Sequence, residues 1–427
     1  MAKLKIIYPI CCGVDVHRDF LVACIASTNE QGVTTYQSKR FSTYSGQLRA
    51  FGTWLVSCSC NDVCMESTGK YWFPVHNILV GEFKLNVVVS HPKFVKAIKG
   101  KKTDKKDAQW IADLFKHDLV RGSFIPPEDI RQLRDLCRYH AKLTHYTTGE
   151  KNRAQNSLTV SNFKLDDVFS NVFGKSATAI IDQLLLHNGQ TFDVTPFVDR
   201  RCKTPIPQIQ EAIDGAFSSE QALKLKVIRQ HIDNLSELKA NLEDIIFKLA
   251  AKYQPQIELL LSVPGIRDMM TAIRIIAEIG VDMPVFESAK HLASWAGLAP
   301  QNNESAGKKK TTRIGKAGAY LKPLMVQVAL AASKSKANPE IMNKYQALKK
   351  RRGGKKSRIA IARRLIVAIY HMLLKNQAYN GTLYQKADFI PEKREVTAEQ
   401  AFAILRKQGF SIKGVDSPAE PFTAASV

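Results

Sequence analysis

The chain has 427 residues, 45% of them hydrophobic, which is enough for two or three domains with real cores and excludes a disordered polypeptide. Sixty-two Lys and Arg against 39 Asp and Glu leave a formal charge of +23, the electrostatic footprint of a nucleic-acid binder. No secretory segment opens the sequence and no apolar run is long enough to span a bilayer, so a cytoplasmic protein without membrane contact is expected. The eight cysteines are then expected as reduced thiols in or beside strands, because Cys58, Cys60 and Cys64 lack the second ligand pair that a structural zinc needs.

Charge alone would also fit a basic ribosomal protein, but the basic residues cluster. From Lys93 to Lys106 seven lysines lie around and beside Asp104 and Asp107, and from Lys344 to Arg364 there are ten basic residues and no acid. The run from residue 10 to 41 reads as three strands, in a meander with a polar turn at His17 to Asp19. Ser45 is placed to cap a helix reaching about Ser57. A strand through Val63 to Glu66, a helix from about Lys70 to Val80, the strand Leu85 to Val89 and a helix carrying Asp104 and Asp107 follow. Strands first and then alternating helix and strand is the order of an RNase H-like α/β domain.

Four acids stand out in that frame. Asp15 is mid-strand, Glu66 ends a strand, and Asp104 and Asp107 are three residues apart, hence on one helical face. Hard oxygen donors of this kind suit Mg²⁺, which keeps several waters and phosphate partners around few carboxylates. Lys101, Lys102, Lys105 and Lys106, beside them, are candidate phosphate contacts.

A long polar helix is expected from about Glu128 to Leu158, while residues 161–206 show no clear period. From about Ser219 to Tyr253, Ile228, Leu235, Leu242 and Leu249 repeat every seven residues, with Leu238 and Ile245 in the companion row. A coiled coil is one reading and an intramolecular helical hairpin the other. Val263-Pro264-Gly265-Ile266 sits between two apolar helices and resembles a helix-hairpin-helix, in which Gly265 would leave backbone NH groups open to a phosphate. A plain tight turn fits it equally.

After a helix read over LASWAGLAP, Leu292 to Pro300, Ser305 lies on a glycine- and lysine-rich cationic loop with Lys308, Lys309, Lys310, Arg313 and Lys316. A hydroxyl held among cations is a candidate nucleophile toward a phosphodiester, since the cations stabilise the charge that attack develops. An apolar helix from Tyr320 to Ala332 follows. The segment with Lys349, Lys350, Arg351, Arg352, Lys355 and Lys356 reads as a phosphate-tracking arm, before an apolar helix to about Leu374 and a peripheral tail with one short helix.

These motifs resemble, in order, those of the DEDD transposases of the IS-one-ten group of bacterial insertion sequences. GVDV with Asp15, MESTGKYW with Glu66, HPKFVKAIKGKKTDKKDA with Asp104 and Asp107, SVPGI, and WAGLAPQNNESAGKKKTTRIGKAGAYL with Ser305 carry the likeness. The resemblance implies an RNase H-like DEDD domain over residues 1–125 holding Mg²⁺ through the four acids and a helical connector with an insertion over 126–206. A coiled coil over 207–254, a mainly helical transposase domain over 255–375 with Ser305 as nucleophile, and a tail over 376–427 complete it. It further implies cleavage and exchange of DNA strands through a phosphoserine, a bridge RNA that selects the DNA partners, a dimer or tetramer, and a nucleoid-associated bacterial protein. A Holliday-junction-type endonuclease shares the fold and the acids but would use water in place of Ser305.

Overall fold

A computed structural model describes residues 4–67, 69–95, 103–300, 303–305, 308–311, 313–315, 317–384, and positions 401 and 405, with backbone alone at 94, 303–305, 308–311 and 383–384. Its N-terminal part is built on a five-stranded sheet. The strands are β1 (Ile10–Val16), β2 (Phe20–Thr28), β3 (Thr34–Ser42), β4 (Asp62–Glu66) and β5 (Asn86–Ser90), in the spatial order β3-β2-β1-β4-β5. The first three pair antiparallel as a meander, and β4 and β5 add in parallel to β1. Each parallel neighbour is reached by way of a helix: α1 (Ser45–Ser57) leads into β4 and α2 (Trp72–Gly81) into β5. Ser45 opens α1 but does not cap it; Tyr44 occupies that position and makes no side-chain cap bond.

Strand alternation divides β1 between two layers. Cys12, Val14 and Val16 join Leu48, Phe51, Leu55 and Leu79 of α1 and α2 in one buried core. Cys11 points the other way, to Ile111, Ala112 and Phe115 of α4 (Asp104–Lys116), which follows the short helix α3 (Pro92–Val95). The thiols of Cys11, Cys12, Cys24, Cys60 and Cys64 are all free and buried in this sandwich, and burial pushes those of Cys11, Cys60 and Cys64 up to about 12.

The long helices α5 (Glu128–Val160) and α9 (Ser219–Ala250) lie side by side and run antiparallel. Polar rungs fix their register from base to tip. Asp129 meets Lys252 and Tyr253, His140 Nε2 lies 2.6 Å from Glu243, Glu150 lies 3.3 Å from His231, and Ser157 donates to Gln221 at 2.8 Å. Within the chain three members of the heptad row of α9 are covered, Ile228 and Leu235 buried and Leu242 partly so, while Leu249 is 39% exposed. The companion row is not covered, with Leu238 54% and Ile245 49% exposed.

Residues 161–206, which carry no readable period, fold at the tip of this hairpin. The short helices α6 (Leu165–Val168), α7 (Lys175–Leu186) and α8 (Ile206–Glu211) close a core of their own with Ala154 and Leu158 of α5 and Leu225 and Ile228 of α9.

At the hairpin's base, Ile130 and Leu133 of α5 and Ile246 and Ala250 of α9 enter a second helical core. It is completed by α10 (Gln254–Leu261), α11 (Met269–Ile279), α12 (Ala289–Trp295), α13 (Leu321–Lys334), α14 (Pro339–Arg352) and α15 (Gly354–Lys375). Arg134 donates to the carbonyls of Ala277 and Glu278 and Arg138 grips the Glu278 carboxylate at 2.7 and 2.8 Å, so two cations of α5 meet the negative C-terminal end of α11. Phe124, between α4 and α5, packs tilted against Phe286 and edge-on against Trp295 and ties the sheet domain to this core. Among the described residues no helix is long and apolar enough to cross a membrane. The short helix expected over Thr397 to Lys407 lies outside the described residues except at 401 and 405.

Candidate active site

The four acids come together by three local rules. On β1, Cys11, Gly13 and Asp15 share the face turned to α4; on β4, Cys64 and Glu66 do the same. Gly13 pairs with Cys64 and Val14 with Met65, so one residue further along each parallel strand Asp15 and Glu66 are neighbours. Asp104 and Asp107 then arrive from above, in the first turn of α4, where Thr103 caps the helix by accepting from the Lys106 NH at 3.3 Å.

What lets α4 come low enough is the absence of a side chain at Gly13. A Cβ there would stand 2.2 Å from the Ala108 carbonyl and 2.3 Å from the Ala112 nitrogen, both rigid helix backbone. Gly13→Ala is expected to lift α4 from the sheet, costing about 1–3 kcal/mol of stability. It should also lower DNA cleavage by about a hundredfold in conditions where the variant is still folded, because an ångström of misplacement is enough for that. Denaturant midpoints and single-turnover cleavage measure the two effects, and full activity in a folded Gly13→Ala protein would show that α4 height does not set the site.

The Asp15 side chain is 14% exposed, against 49% for Asp104. Burial pushes its carboxyl above the ordinary value; His17 pulls the other way, while Glu66, Asp104 and Asp107 each add repulsion. Glu66, Asp104 and Asp107 are thus within electrostatic reach of Asp15, and of these three Asp104 stands close enough to share one ion with it. A set of carboxylates that raise one another's proton affinity is relieved by a divalent cation, so the donor set fits a hard metal ion.

The sequence reading missed His17, which it took as a turn residue. His17 is two residues past Asp15 and so on the same face, and its Nε2 lies 3.1 Å from Asp15 Oδ2 and 3.7 Å from Asp104 Oδ1. Asp15, His17 and Asp104 are close enough to share one ion. Residue parity on β1 was the signal that could have found it.

The second expected site has a different form from the one anticipated. Ser305 is not in an open loop but ends the strand β6 (Asn303–Ser305), paired antiparallel with β7 (Lys308–Thr311), so that Ser305 stands opposite Lys308 and Glu304 opposite Lys309. A bridge between Pro300 and Ile314 closes the base of this hairpin, and Arg313 beyond it is exposed. The hairpin belongs to the helical half of the chain, between α12 and α13, while the acids belong to the sheet. Lys105 and Lys106 are exposed on the first turn of α4 beside the acids. Lys101, Lys102 and Lys316 lie outside the described residues.

Gly265 has φ +91° in the turn between α10 and α11, and a Cβ on it would meet the Val328 carbonyl at 2.2 Å. Its glycine is accounted for by the close approach of α13. The first turn of α11 is capped by Asp268, which accepts from Thr271 NH at 2.7 Å, so a carboxylate of the chain already sits where a phosphate would bind. The packing favours the tight-turn reading of this motif.

The basic segment is not an extended arm. It turns a corner between two helices at Gly353, φ +77°, with Lys349, Lys350, Arg351 and Arg352 exposed in the last turn of α14 and Lys355 and Lys356 exposed in the first turn of α15. Tyr345 and Ser357 on either side are buried, which fixes the corner to the helical core.

Comparison with protein families decides the identity. The DEDD_Tnp_IS110 model, described as a transposase, matches residues 12–162, and the model of the Transposase IS116/IS110/IS902 family matches residues 257–346. The chain belongs to the IS110 family of transposases. It is therefore an enzyme acting on DNA in transposition and recombination, and its mixed sheet is consistent with a DEDD, RNase H-like domain. No curated protein matches it. The first match contains the four acids and all of α5, and the second contains the Ser305 hairpin. Residues 163–256 of the transposase, with the tip core and α9, fall between the two. A DEDD-type domain suggests use of a divalent metal, in keeping with the cluster around Asp15.

Proposed function

We propose that the transposase cleaves and exchanges DNA strands with Mg²⁺ held by Asp15, Glu66, Asp104 and Asp107 and with Ser305 as the nucleophile. The observation that carries this reading is the meeting of Asp15 on β1 with Asp104 on the first turn of α4, with Glu66 on the neighbouring strand and Asp107 on the same helical turn. The metal, when bound, supplies positive charge that orients a phosphodiester and stabilises the leaving oxygen. Ser305 Oγ forms the new bond to phosphorus as the strand's own oxygen leaves, and the phosphoserine keeps the bond energy for a second DNA end to attack. Strand exchange then needs no ATP. Placement of Ser305 in a hairpin rich in lysine supports the role, since neighbouring cations favour the charge that builds up on the phosphoryl oxygens.

The family resemblance adds a bridge RNA as guide and an assembly of two or more protomers, held together along the uncovered row of α9 as an intermolecular coiled coil. A denaturing gel of the protein with labelled element-end DNA, RNA and Mg²⁺ tests the reaction. A labelled band shifted by covalent protein is expected; cleavage with free DNA ends only would make the protein a hydrolytic junction nuclease.

The corner of α14 and α15 is proposed to hold phosphates. The cations of the last turn of α14 are favoured by its dipole, but Lys355 and Lys356 at the start of α15 are opposed by theirs, a cost that a bound anion offsets. Neutralising Lys349, Lys350, Arg351 and Arg352 together is expected to weaken nucleic-acid binding equally for all sequences and to flatten the logarithmic salt slope by about 3 to 4. Binding isotherms over a salt series measure this, and retained affinity with altered sequence choice would contradict it.

A further inference from the structure

His17 is a residue that four-carboxylate chemistry does not need, yet its ring, 39% exposed, is held beside Asp15 and Asp104. Its backbone NH donates to the Phe20 carbonyl at 2.9 Å, closing the turn between β1 and β2, and Thr43 fastens the same turn by donating to the Arg18 carbonyl at 2.8 Å. The imidazole packs on Phe20 at 4.7 Å between ring centres, and the Arg40 guanidinium covers Phe20 at 3.7 Å. The ring is thus oriented by packing. Its Nε2 is shielded from solvent and makes no hydrogen bond, although carboxylate oxygens of Asp15 and Asp104 stand 3.1 and 3.7 Å away. A buried nitrogen without a hydrogen bond, amid acids that repel one another, has the setting of a metal ligand.

We infer that His17 Nε2 is a nitrogen ligand of the ion held by Asp15 and Asp104, and that it gives the site a preference for Mn²⁺ over Mg²⁺. Carboxylates and water suit both ions, whereas imidazole binds first-row transition metals and adds little for Mg²⁺. The inference rests on the metal-site reading above and concerns which ion that site selects.

The experiment uses the full chain without nucleic acid. Mn²⁺ binding is followed by the loss of the free-ion electron paramagnetic resonance signal, Mg²⁺ by competition, and the ligands of bound Mn²⁺ by pulsed resonance. Wild-type protein is expected to show imidazole nitrogen coupled to Mn²⁺. His17→Ala should lose that coupling and weaken Mn²⁺ binding by on the order of tenfold, with a smaller change for Mg²⁺. His17→Gln, which keeps a polar side chain in the turn and offers an oxygen, should lose the nitrogen coupling as well, and circular dichroism shows that both variants are folded. Coupling absent from the wild type, or surviving in both variants, or an unchanged ratio of Mn²⁺ to Mg²⁺ affinity, would overturn the inference. Tighter Mn²⁺ binding in His17→Ala would also overturn it, by showing that His17 only neutralises the acids as a cation. Asp15→Asn separates the two readings. If it binds Mn²⁺ as the wild type does, the metal site itself is wrong; if it loses Mn²⁺ while His17→Ala matches the wild type, only the role of His17 fails.

Discussion

Asp104→Asn and Asp107→Asn are each expected to lower DNA strand cleavage by about a thousandfold or more while leaving nucleic-acid binding within a fewfold of wild type. The amide keeps the shape of the side chain but not its charge, and the cluster then holds a divalent cation poorly. Both positions lie in the first turn of α4, where the helix dipole favours negative charge, so some loss of helix stability accompanies each change, of about 0.3–1 kcal/mol. That cost is small beside the kinetic effect, and a melting curve separates the two. Cleavage at wild-type rates across a Mg²⁺ titration would show that these acids do not bind the metal that matters.

Ser305→Ala should remove the covalent protein–DNA adduct and recombination together, with metal binding unchanged because the hairpin lies in the other half of the chain. The expected loss is to below detection, since nothing replaces a covalent nucleophile in the same place. Peptide mapping of any adduct in the wild type supplies the complementary measurement. An adduct on Ser294 or Thr311 would keep the reaction class and move the nucleophile.

Much of the sheet domain was legible because its signals are local. The apolar runs of β1, β2, β4 and β5 fall within a residue or two of their strands, and the three-residue spacing of Asp104 and Asp107 needs only a helix to put them together. Strand parity could have put His17 on the face of Asp15, but not beside Asp104. Its nearness to Asp104 depends on the height at which α4 rides over Gly13, a tertiary fact that no spacing reveals. The hairpin of β6 and β7 was read as a loop because the Asn and Glu of β6 and the lysines of β7 are poor strand formers, and pairing between the two strands overrode that preference. The tip helices escaped because their core draws on α5 and α9 more than 50 residues apart in the chain. A seven-residue repeat on α9 could not name its partner, since an antiparallel neighbour in the same chain and a second copy ask for the same spacing.

The antiparallel pair of α5 and α9 acts as a caliper of fixed opening. Its 33-residue arm is about 50 Å long, with one hydrophobic core gripping each end. Each residue inserted into one arm alone would slide it about 1.5 Å past the other, and a few would carry His140 away from Glu243 and Glu150 from His231. The opening can therefore change only by matched insertions or deletions in segments far apart in the gene. Single-arm changes must instead be taken up at the tip, where short helices and turns join the two arms.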